Sequence, residues 1–333
     1  MKSQDPAADV VSSAGISGEK VSAENLKGHR LRNDRIELTL LPQYGCHWKS
    51  LRLSAKGKWL ELLQEAEEDE STGALRFGSY VLAPWSNRIA DGRFDFNGDS
   101  YELRKNSADG TAIHGDVRSR HWEVLEATGV RFEAALDSRT VDGFNYPFDL
   151  VFRHAIELCA ETVKVDFAVR NVDSRPAPVG FGFHPFLKRR LSAADRDVIL
   201  QVPAERVYPA VGCLPTAPAE EVEGPLDLRR LEVLGGSKLD HCYTAIADAP
   251  IRLIYPGTRV EVRLRMAPVF SHVVVYTPHD SSGSPLDSVA VEPVTHANNG
   301  FNLESQGWSD TGVQSLEPGE EVVGHWELSA GDI

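Results

Sequence analysis

Four ionisable side chains stand in tight, turn-rich or aromatic surroundings where acid–base chemistry is feasible. They are Arg88, His114, His184 and Glu292. Glu292 follows the apolar run 288–291 and precedes Pro293. We therefore expect it where a strand ends, from which a carboxylate can project into a cleft as a general base. An isolated glutamate in such a place is more often a solvated charge, but the polar segment 295–302 could orient it.

The two histidines differ in their surroundings. His184 lies among the phenylalanines at 181, 183 and 186, which indicates a partly buried, ordered imidazole. The reference pKa of histidine, about 6.5, suits a proton donor near neutral pH. His114 precedes Gly115, which lets a ligand or another chain segment approach closely. For either histidine the alternative is a structural role, with the ring satisfied by a backbone carbonyl.

Arg88 and Asp240 are candidates for binding a ligand that carries hydroxyl groups. Arg88 follows Asn87, and its five-donor guanidinium suits vicinal hydroxyls as well as carboxylates. The alternative is a salt bridge from Arg88 to a neighbour such as Asp91. Asp240 could accept hydrogen bonds from hydroxyls, although an aspartate in a loop is usually a turn former.

Cofactor and metal motifs are missing from the sequence. It contains no zinc-ligand spacing, no P-loop, no dinucleotide-binding glycine motif and no nucleophile elbow. We therefore expect no metal and no cofactor. The basic run Lys188, Arg189 and Arg190 is interpreted as a solvated face, and it is also the one place where a phosphate group could bind.

The elements that must position these residues are strands, because the dominant hydrophobic period is two. Valines 163, 165 and 169 and Phe167 alternate with mostly polar residues, and the run 260–266 behaves alike. Asn97-Gly98 between two aromatic pairs predicts a type I′ hairpin. Further predicted strands are 35–41, 122–127, 131–136, 150–158, 251–255, 272–277, 288–291 and 322–328.

Helical periodicity is nearly absent from the chain. The one weak candidate is 61–70, and the stretch 220–231 is interrupted by Gly224 and Pro225. Many strands with turn signals throughout, and no linker, predict an all-β chain with a single large antiparallel β-sandwich. We expect residues 1–27 to be a flexible N-terminal arm and 28–333 to be the sandwich domain.

The overall composition limits the classes of partner and the compartment that we expect. A net charge of −14 over 333 residues makes nucleic acid or an anionic membrane an unsuitable partner. The four cysteines are widely spaced, which favours free thiols in a reducing compartment. With no signal-like or membrane-spanning apolar run, we expect a cytoplasmic enzyme, either monomer or homodimer, that acts on a small molecule.

The chain resembles the aldose 1-epimerases (mutarotases) from about residue 30 to its end. The resemblance is carried by six motifs in the family's order: 87–94, 113–115, 182–186, 239–242, 276–277 and 291–293. It implies a β supersandwich that binds a sugar in an open cleft, with no metal or cofactor. It also implies that Glu292 is the general base, that His184 is the general acid, and that Arg88, His114 and Asp240 hold the sugar, with Asn87 beside them.

The chain departs from the family pattern at two positions that concern the sugar rather than the catalytic pair. Val274 stands where galactose mutarotases commonly carry a sugar-binding glutamine, and Asp116 stands where a second glycine often follows the His-Gly pair. The resemblance therefore leaves open which sugar is bound.

Three functions are compatible with these residues. The first is a mutarotase for free aldohexoses, and the second is a mutarotase for hexose 6-phosphates that uses the basic run 188–190. The third is a sugar-binding or regulatory protein without turnover. A glycosidase ordinarily needs two carboxyl groups astride the scissile bond, and only Glu292 is well placed.

Overall fold

The computed structural model describes residues 28–65, 67–68, 75–76 and 78–333. These residues are nearly all strand or loop, and the only α-helix among them is the short Gly300–Ser305. Single 3₁₀ turns occur at Ala90–Gly92, Val117–Ser119, Ser138–Thr140 and Gly224–Leu226. The all-β prediction is confirmed. The predicted N-terminal arm, residues 1–27, lies outside the described residues.

Two large antiparallel sheets form the sandwich. The strands of the first, a nine-stranded sheet, are in spatial order Glu123–Ala127, Arg131–Asp137, Leu150–Cys159, Thr162–Asn171, Glu321–Asp332, Val260–Met266, Ile251–Tyr255, Ile199–Gln201 and Glu232–Val233. Those of the second, an eight-stranded sheet, are Glu220–Glu221, Ala204–Val207, Asp240–Ile246, His272–Tyr276, Ser288–Val294, Gly182–Phe183 and Val81–Leu82, with Phe186–Lys188 also paired to Ser288–Val294.

Smaller sheets complete the fold. A four-stranded sheet is formed by His29–Arg32, Ile36–Leu41, His47–Ala55 and Lys58–Glu61. Two-stranded pairs are Glu67–Glu68 with Leu75–Arg76, Arg88–Ile89 with Ala112–Ile113, Arg93–Phe96 with Asp99–Glu102, Ala177–Val179 with Gln314–Leu316, and Ala210–Val211 with Leu214–Pro215.

One main hydrophobic core contains side chains from both large sheets. These side chains come from strands in which buried and more exposed residues alternate. In Thr162–Asn171 the buried apolar positions are Val163, Val165, Phe167 and Val169, as predicted. Successive side chains of a strand point to opposite faces. The intervening Lys164, Asp166 and Arg170 therefore lie on the opposite face, where Lys164 pairs with Glu327.

The sequence predicts the long strands to within a few residues. Ile251–Tyr255 and Val260–Met266 match their predicted limits, and the Asn97-Gly98 turn has a positive φ at both residues, as a type I′ hairpin requires. The weak helix candidate 61–70 is wrong, because Glu61 ends one strand and Glu67–Glu68 is another. The interrupted stretch 220–231 contains only a two-residue strand and a single 3₁₀ turn. Residues 66 and 69–70 lie outside the described residues.

His154 is a fully buried histidine on the inward face of its strand. Its ring centroid lies 5.5 Å from that of Phe183 and 6.0 Å from that of Phe167. Neither of its ring nitrogens has a hydrogen-bond partner in the described part of the chain. Burial lowers the pKa of His154 to about 3, because a charged imidazole would lose its hydration.

We expect His154→Phe to raise the free energy of unfolding by about 1 kcal/mol, since it removes two unsatisfied buried polar atoms. The gain should grow below about pH 6.5, where the unfolded chain binds a proton that the folded chain does not. Stability linked to His154 is complete above the unfolded pKa and is lost as pH falls towards its folded pKa of about 3. Urea denaturation at neutral and mildly acidic pH measures both effects.

The control is His325→Gln, because His325 lies in the same sheet with its side chain 41% exposed. It should show no such gain. A His154→Phe protein that is no more stable than the wild type at either pH would contradict the expectation.

Candidate active site

Strand alternation places the candidate catalytic residues on the face of the eight-stranded sheet that points away from the main core. Val289 and Val291 belong to that core. Ala290 and Glu292, which alternate with them in Ser288–Val294, therefore point the other way. The same alternation on the next strand places Tyr276 on this outer face.

Register brings His184 opposite Glu292. Gly182 pairs with Val294 and Phe186 pairs with Ala290, so the partner strand is interrupted at His184 and Pro185, opposite Glu292. Nε2 of His184 lies 3.1 Å from Oε1 of Glu292. The two residues are 3% and 1% exposed. The predicted proton donor and acceptor are thus in direct contact and almost completely buried.

The prediction that Glu292 ends a strand is wrong. The strand runs through Glu292 to Val294, and Val274 is the cross-strand neighbour of Glu292. The solvated alternative is also wrong, because the residue is buried. Pro293 is tolerated inside the strand, so the apolar run 288–291 gives only part of the element.

Asn87 and His114 hold unusual backbone conformations beside the pair. Their φ angles are 48° and 61°, and the backbone N–H of His114 donates to the carbonyl of Asn87 over 2.8 Å. Non-glycine residues with positive φ are uncommon and concentrate at functional sites. Gly115 is required here because a Cβ would lie 1.8 Å from the carbonyl oxygen of Ala83. The close approach predicted at Gly115 is therefore made by another chain segment.

Arg88 is buried and held by Asp109 rather than by Asp91. Its Nε donates to Oδ2 of Asp109 over 2.7 Å, whereas Asp91 is exposed and lies 4.0 Å from Nζ of Lys105. Partial burial opposes ionisation of Asp109, but hydrogen bonds from Thr111 and Arg88 lower its pKa well below its usual value. The guanidinium is therefore fixed at the pocket by a permanently charged partner.

Asp240 begins the strand Asp240–Ile246 and accepts a hydrogen bond from a cysteine. Sγ of Cys213 donates to Oδ2 of Asp240 over 2.7 Å, and the carbonyl of Cys213 accepts from Nδ2 of Asn298 over 2.9 Å. Burial, and then the Asp240 carboxylate, raise the pKa of the Cys213 thiol far above its usual value. The thiol therefore remains a protonated donor. No sequence pattern links Cys213 to Asp240, and sequence reasoning missed it.

The polar segment 295–302 fixes residues 86–90, which include Arg88. The backbone N–H of Asn299 donates to the carbonyl of Arg88 over 2.8 Å, and Oδ1 of Asn299 accepts from the N–H of Ala90 over 3.0 Å. Nε2 of His296 accepts from the N–H of Ser86 over 2.9 Å, and burial lowers the pKa of His296 to about 4. The sequence predicts that this segment orients Glu292. Its hydrogen bonds to residues 86–90 and to Cys213 position those parts of the chain.

All six predicted site residues line one pocket, whose empty volume of about 280 Å³ includes space open to solvent. Its lining comprises Asn87, Arg88, Ile113, His114, His184, Asp240, Tyr276 and Glu292. The sequence predicts no individual role for Ile113 and Tyr276, which belong to the motifs 113–115 and 276–277. Among the residues that the structure describes, no group of three His, Cys, Asp or Glu side chains is placed to hold a metal ion.

The two departures from the family pattern have different surroundings. Val274 is fully buried on the outer face and packs in an apolar cluster with Tyr208 and Cys242. Asp116 binds Nε of Arg120 over 2.7 Å and the backbone N–H of Asn145 over 3.1 Å. Asp116 therefore stabilises a loop rather than lining the pocket.

The basic run is not a uniformly solvated face. Arg189 is 4% exposed, and its Nε donates to Oδ1 of Asp197 over 2.8 Å. Lys188 and Arg190 each pair with a carboxylate as well, Glu65 at 3.1 Å and Asp287 at 2.9 Å. The prediction of a solvated face is therefore wrong for Arg189, and none of the three lines the pocket.

Comparison with known proteins identifies the family of this chain. The model of the aldose 1-epimerase family matches residues 29–329. The chain belongs to this family. It is 31% identical over 229 residues to the uncharacterised protein YihR of Escherichia coli K12, covering 67% of this chain and 71% of that protein. Membership makes the protein one of the sugar-epimerase kind.

Solved structures show the same fold. A galactose mutarotase-like protein from Clostridium acetobutylicum matches with a TM-score of 0.82 at 19% identity, over 95% of this chain and 98% of that one. Galactose 1-epimerase from Lactobacillus acidophilus matches with a TM-score of 0.70 at 17% identity, over 91% and 93%. The supersandwich implied by the motifs is therefore confirmed. No helix in the described ranges is long and apolar enough to span a membrane.

Proposed function

We propose that this chain is an aldose 1-epimerase that interconverts the α and β anomers of a free aldohexose by general acid–base catalysis. One observation carries the proposal: His184 and Glu292 lie 3.1 Å apart and buried in a pocket lined by hydrogen-bonding side chains. The reaction exchanges protons at the anomeric hydroxyl and the ring oxygen, and both oxygens are bonded to C1. An acid and a base that serve them must therefore be close neighbours.

The proton transfers balance without any further reagent. Glu292 takes the proton of the anomeric hydroxyl while His184 gives its proton to the ring oxygen, and the bond between C1 and the ring oxygen breaks. The open-chain aldehyde rotates about C1–C2 and the ring recloses on the other face. Reclosure returns the proton from Glu292 to the new anomeric hydroxyl and the ring-oxygen proton to His184, so each turnover restores both groups.

The other pocket residues supply sugar contacts in this proposal. Arg88, fixed by Asp109 at 2.7 Å, offers its remaining guanidinium donors to hydroxyls. Asp240, oriented by Cys213, accepts hydrogen bonds from them. His114 and Asn87, whose backbones are joined by a 2.8 Å hydrogen bond, complete the polar wall.

The pairing of the basic run favours a free sugar over a hexose 6-phosphate. A phosphate would compete with Glu65, Asp197 and Asp287 for the cations that they already hold. The pocket lining also contains a single cationic arginine, Arg88. We therefore assign the hexose 6-phosphate activity second place.

Polarimetry of freshly dissolved sugars tests the proposal. We expect purified protein to accelerate the approach to anomeric equilibrium of α-glucose or α-galactose well above the buffer rate, and to act less on glucose 6-phosphate. Glu292→Gln at the same concentration is the control for catalysis by surface groups. Faster equilibration of the phosphate than of either free sugar would favour the phosphorylated substrate. Saturable sugar binding by ligand-observed NMR without acceleration would favour a binding protein.

A further inference from the structure

Tyr80 contacts His184 through both its backbone and its ring. The carbonyl of Tyr80 accepts a hydrogen bond from the N–H of His184 over 2.9 Å. The phenol ring stacks on the imidazole, with centroids 4.9 Å apart and planes inclined by 23°. Tyr80 is 4% exposed and belongs to none of the motifs that carry the family resemblance.

Several other groups face His184. The Phe186 ring lies 4.5 Å away by centroids and the His114 ring 5.2 Å, the latter edge-on at 90°. Glu292 provides the anionic partner at 3.1 Å. Arg88 and Asp240 complete the charged groups of the pocket lining. Among these, Tyr80 and Phe186 alone can offer an aromatic face to a protonated imidazole.

Two further residues, Arg118 and His47, pack against the Tyr80 ring. The guanidinium carbon of Arg118 lies 5.6 Å from the Tyr80 centroid, and the His47 ring lies 5.2 Å from it. Nε2 of His47 donates to the carbonyl of Arg118 over 2.8 Å, and burial lowers the pKa of His47 to about 3, so His47 is neutral. A Cβ on Gly45 would lie 2.0 Å from the Arg118 carbonyl oxygen. The support behind the phenol ring is therefore close-packed.

We propose that Tyr80 is a positioning residue that fixes the His184 ring and stabilises its protonated form through the face of its phenol ring. This inference deepens the proposed function, and it rests on that function only for its kinetic consequence. The face of a phenol ring is electron-rich and attracts a cation within about 6 Å of the ring centroid. The 4.9 Å centroid separation is within this range.

The reaction explains why such support is useful. A buried charge is unfavourable unless its surroundings compensate for it. In the resting site the imidazolium and the Glu292 carboxylate compensate each other, but both become neutral when the ring opens. An aromatic face stabilises the charged resting acid through its electron-rich π system. His184 should therefore stay protonated to a higher pH than it would without Tyr80.

A graded series at position 80 separates electrostatics from packing. The variants are Tyr80→Phe, trifluorophenylalanine incorporated at the same position, and Tyr80→Leu. The fluorinated ring keeps the shape of phenylalanine but loses its electron-rich face, which guards against a leucine variant that fails to fold. The readouts are NMR titration of the His184 ring, assigned by its loss in His184→Asn, and the pH profile of kcat/KM.

We expect the titration midpoint of His184 to change little in Tyr80→Phe and to fall by about 0.5–1 pH unit with the fluorinated ring and with leucine. The alkaline limb of kcat/KM should fall by the same amount. Tyr208→Leu is the matched control, because Tyr208 stacks on His272 at 5.8 Å and 26° outside the pocket lining. It should cost stability and leave both readouts of His184 unchanged.

Two failures are distinguishable. An unchanged His184 midpoint in both the fluorinated and the leucine variants would overturn the role of Tyr80, whatever the activity. A wild-type protein that does not accelerate anomeric exchange, together with the expected NMR shifts, would overturn the proposed function and leave the role of Tyr80 supported.

Discussion

Replacing either member of the buried pair should lower kcat by about 100- to 10,000-fold, the usual contribution of a positioned general acid or base. Glu292→Gln keeps the size and the hydrogen-bonding shape of the side chain but cannot take a proton. His184→Asn keeps a polar amide but removes the imidazole that we propose protonates the ring oxygen. Initial rates by polarimetry over a range of sugar concentrations separate kcat from KM.

The two single variants should not be additive. The proposed ring opening needs both proton transfers together. The kcat of the double variant should therefore be only slightly below that of the less active single variant. Glu261→Gln is the stability control. Glu261 is another buried carboxylate, 3% exposed, which Arg252 and Arg263 bind in the other large sheet. It should lower the unfolding midpoint without lowering kcat. Near wild-type turnover in either member of the pair would show that the residue has a different role.

The sequence predicts the long strands because each one buries a single face of a sandwich. Period-two alternation in Thr162–Asn171 and Val260–Met266 is the direct result of that burial. Short strands carry too few residues to show a period, so Val81–Leu82, Gly182–Phe183 and Phe186–Lys188 could not be found this way. Two of these three pair with the strand that carries Glu292 and bracket His184.

The site residues were predictable as types and as motifs, but their contacts were not. In the sequence, Asp91 is the obvious candidate to pair with Arg88. The partner in the structure is Asp109, which lies 21 positions away. The hydrogen bond from Cys213 to Asp240 is equally non-local. Contacts of this kind depend on register between distant strands, which no local pattern records.

Burial of Arg189 is the clearest case in which a run of basic residues misleads. The side chains of three consecutive basic residues are usually solvated. The Arg190 side chain follows this expectation and is 53% exposed. Arg189 points the other way in the same extended segment and is buried against Asp197 and the carbonyl of Gly235. Alternation applies to charged residues as it does to apolar ones, and Asp197 lies only eight positions away in the sequence.

Arg189→Ala should lower the free energy of unfolding by about 3–5 kcal/mol, because it leaves the largely buried carboxylate of Asp197 without its cation. The Asp197 side chain is 16% exposed and also accepts hydrogen bonds from the backbone N–H groups of Val198 and Gly235, both over 2.8 Å. Arg190→Ala is the matched control. It removes an exposed pair with Asp287, whose contribution should be about 0–1 kcal/mol. Urea denaturation midpoints of the two variants measure the difference.

Lys188→Ala and Arg190→Ala test the second candidate substrate, because both variants should fold normally. If the pairs with Glu65 and Asp287 are structural, the ratio of activity on glucose to activity on glucose 6-phosphate should stay constant in both. A selective loss on glucose 6-phosphate would assign the phosphate to this run. Similar stability of Arg189→Ala and Arg190→Ala would contradict the burial of Arg189, because a solvated arginine costs little to remove. A large stability difference is what the buried Arg189–Asp197 pair should produce, and a constant activity ratio is what Lys188 and Arg190 should give if they lie remote from the sugar.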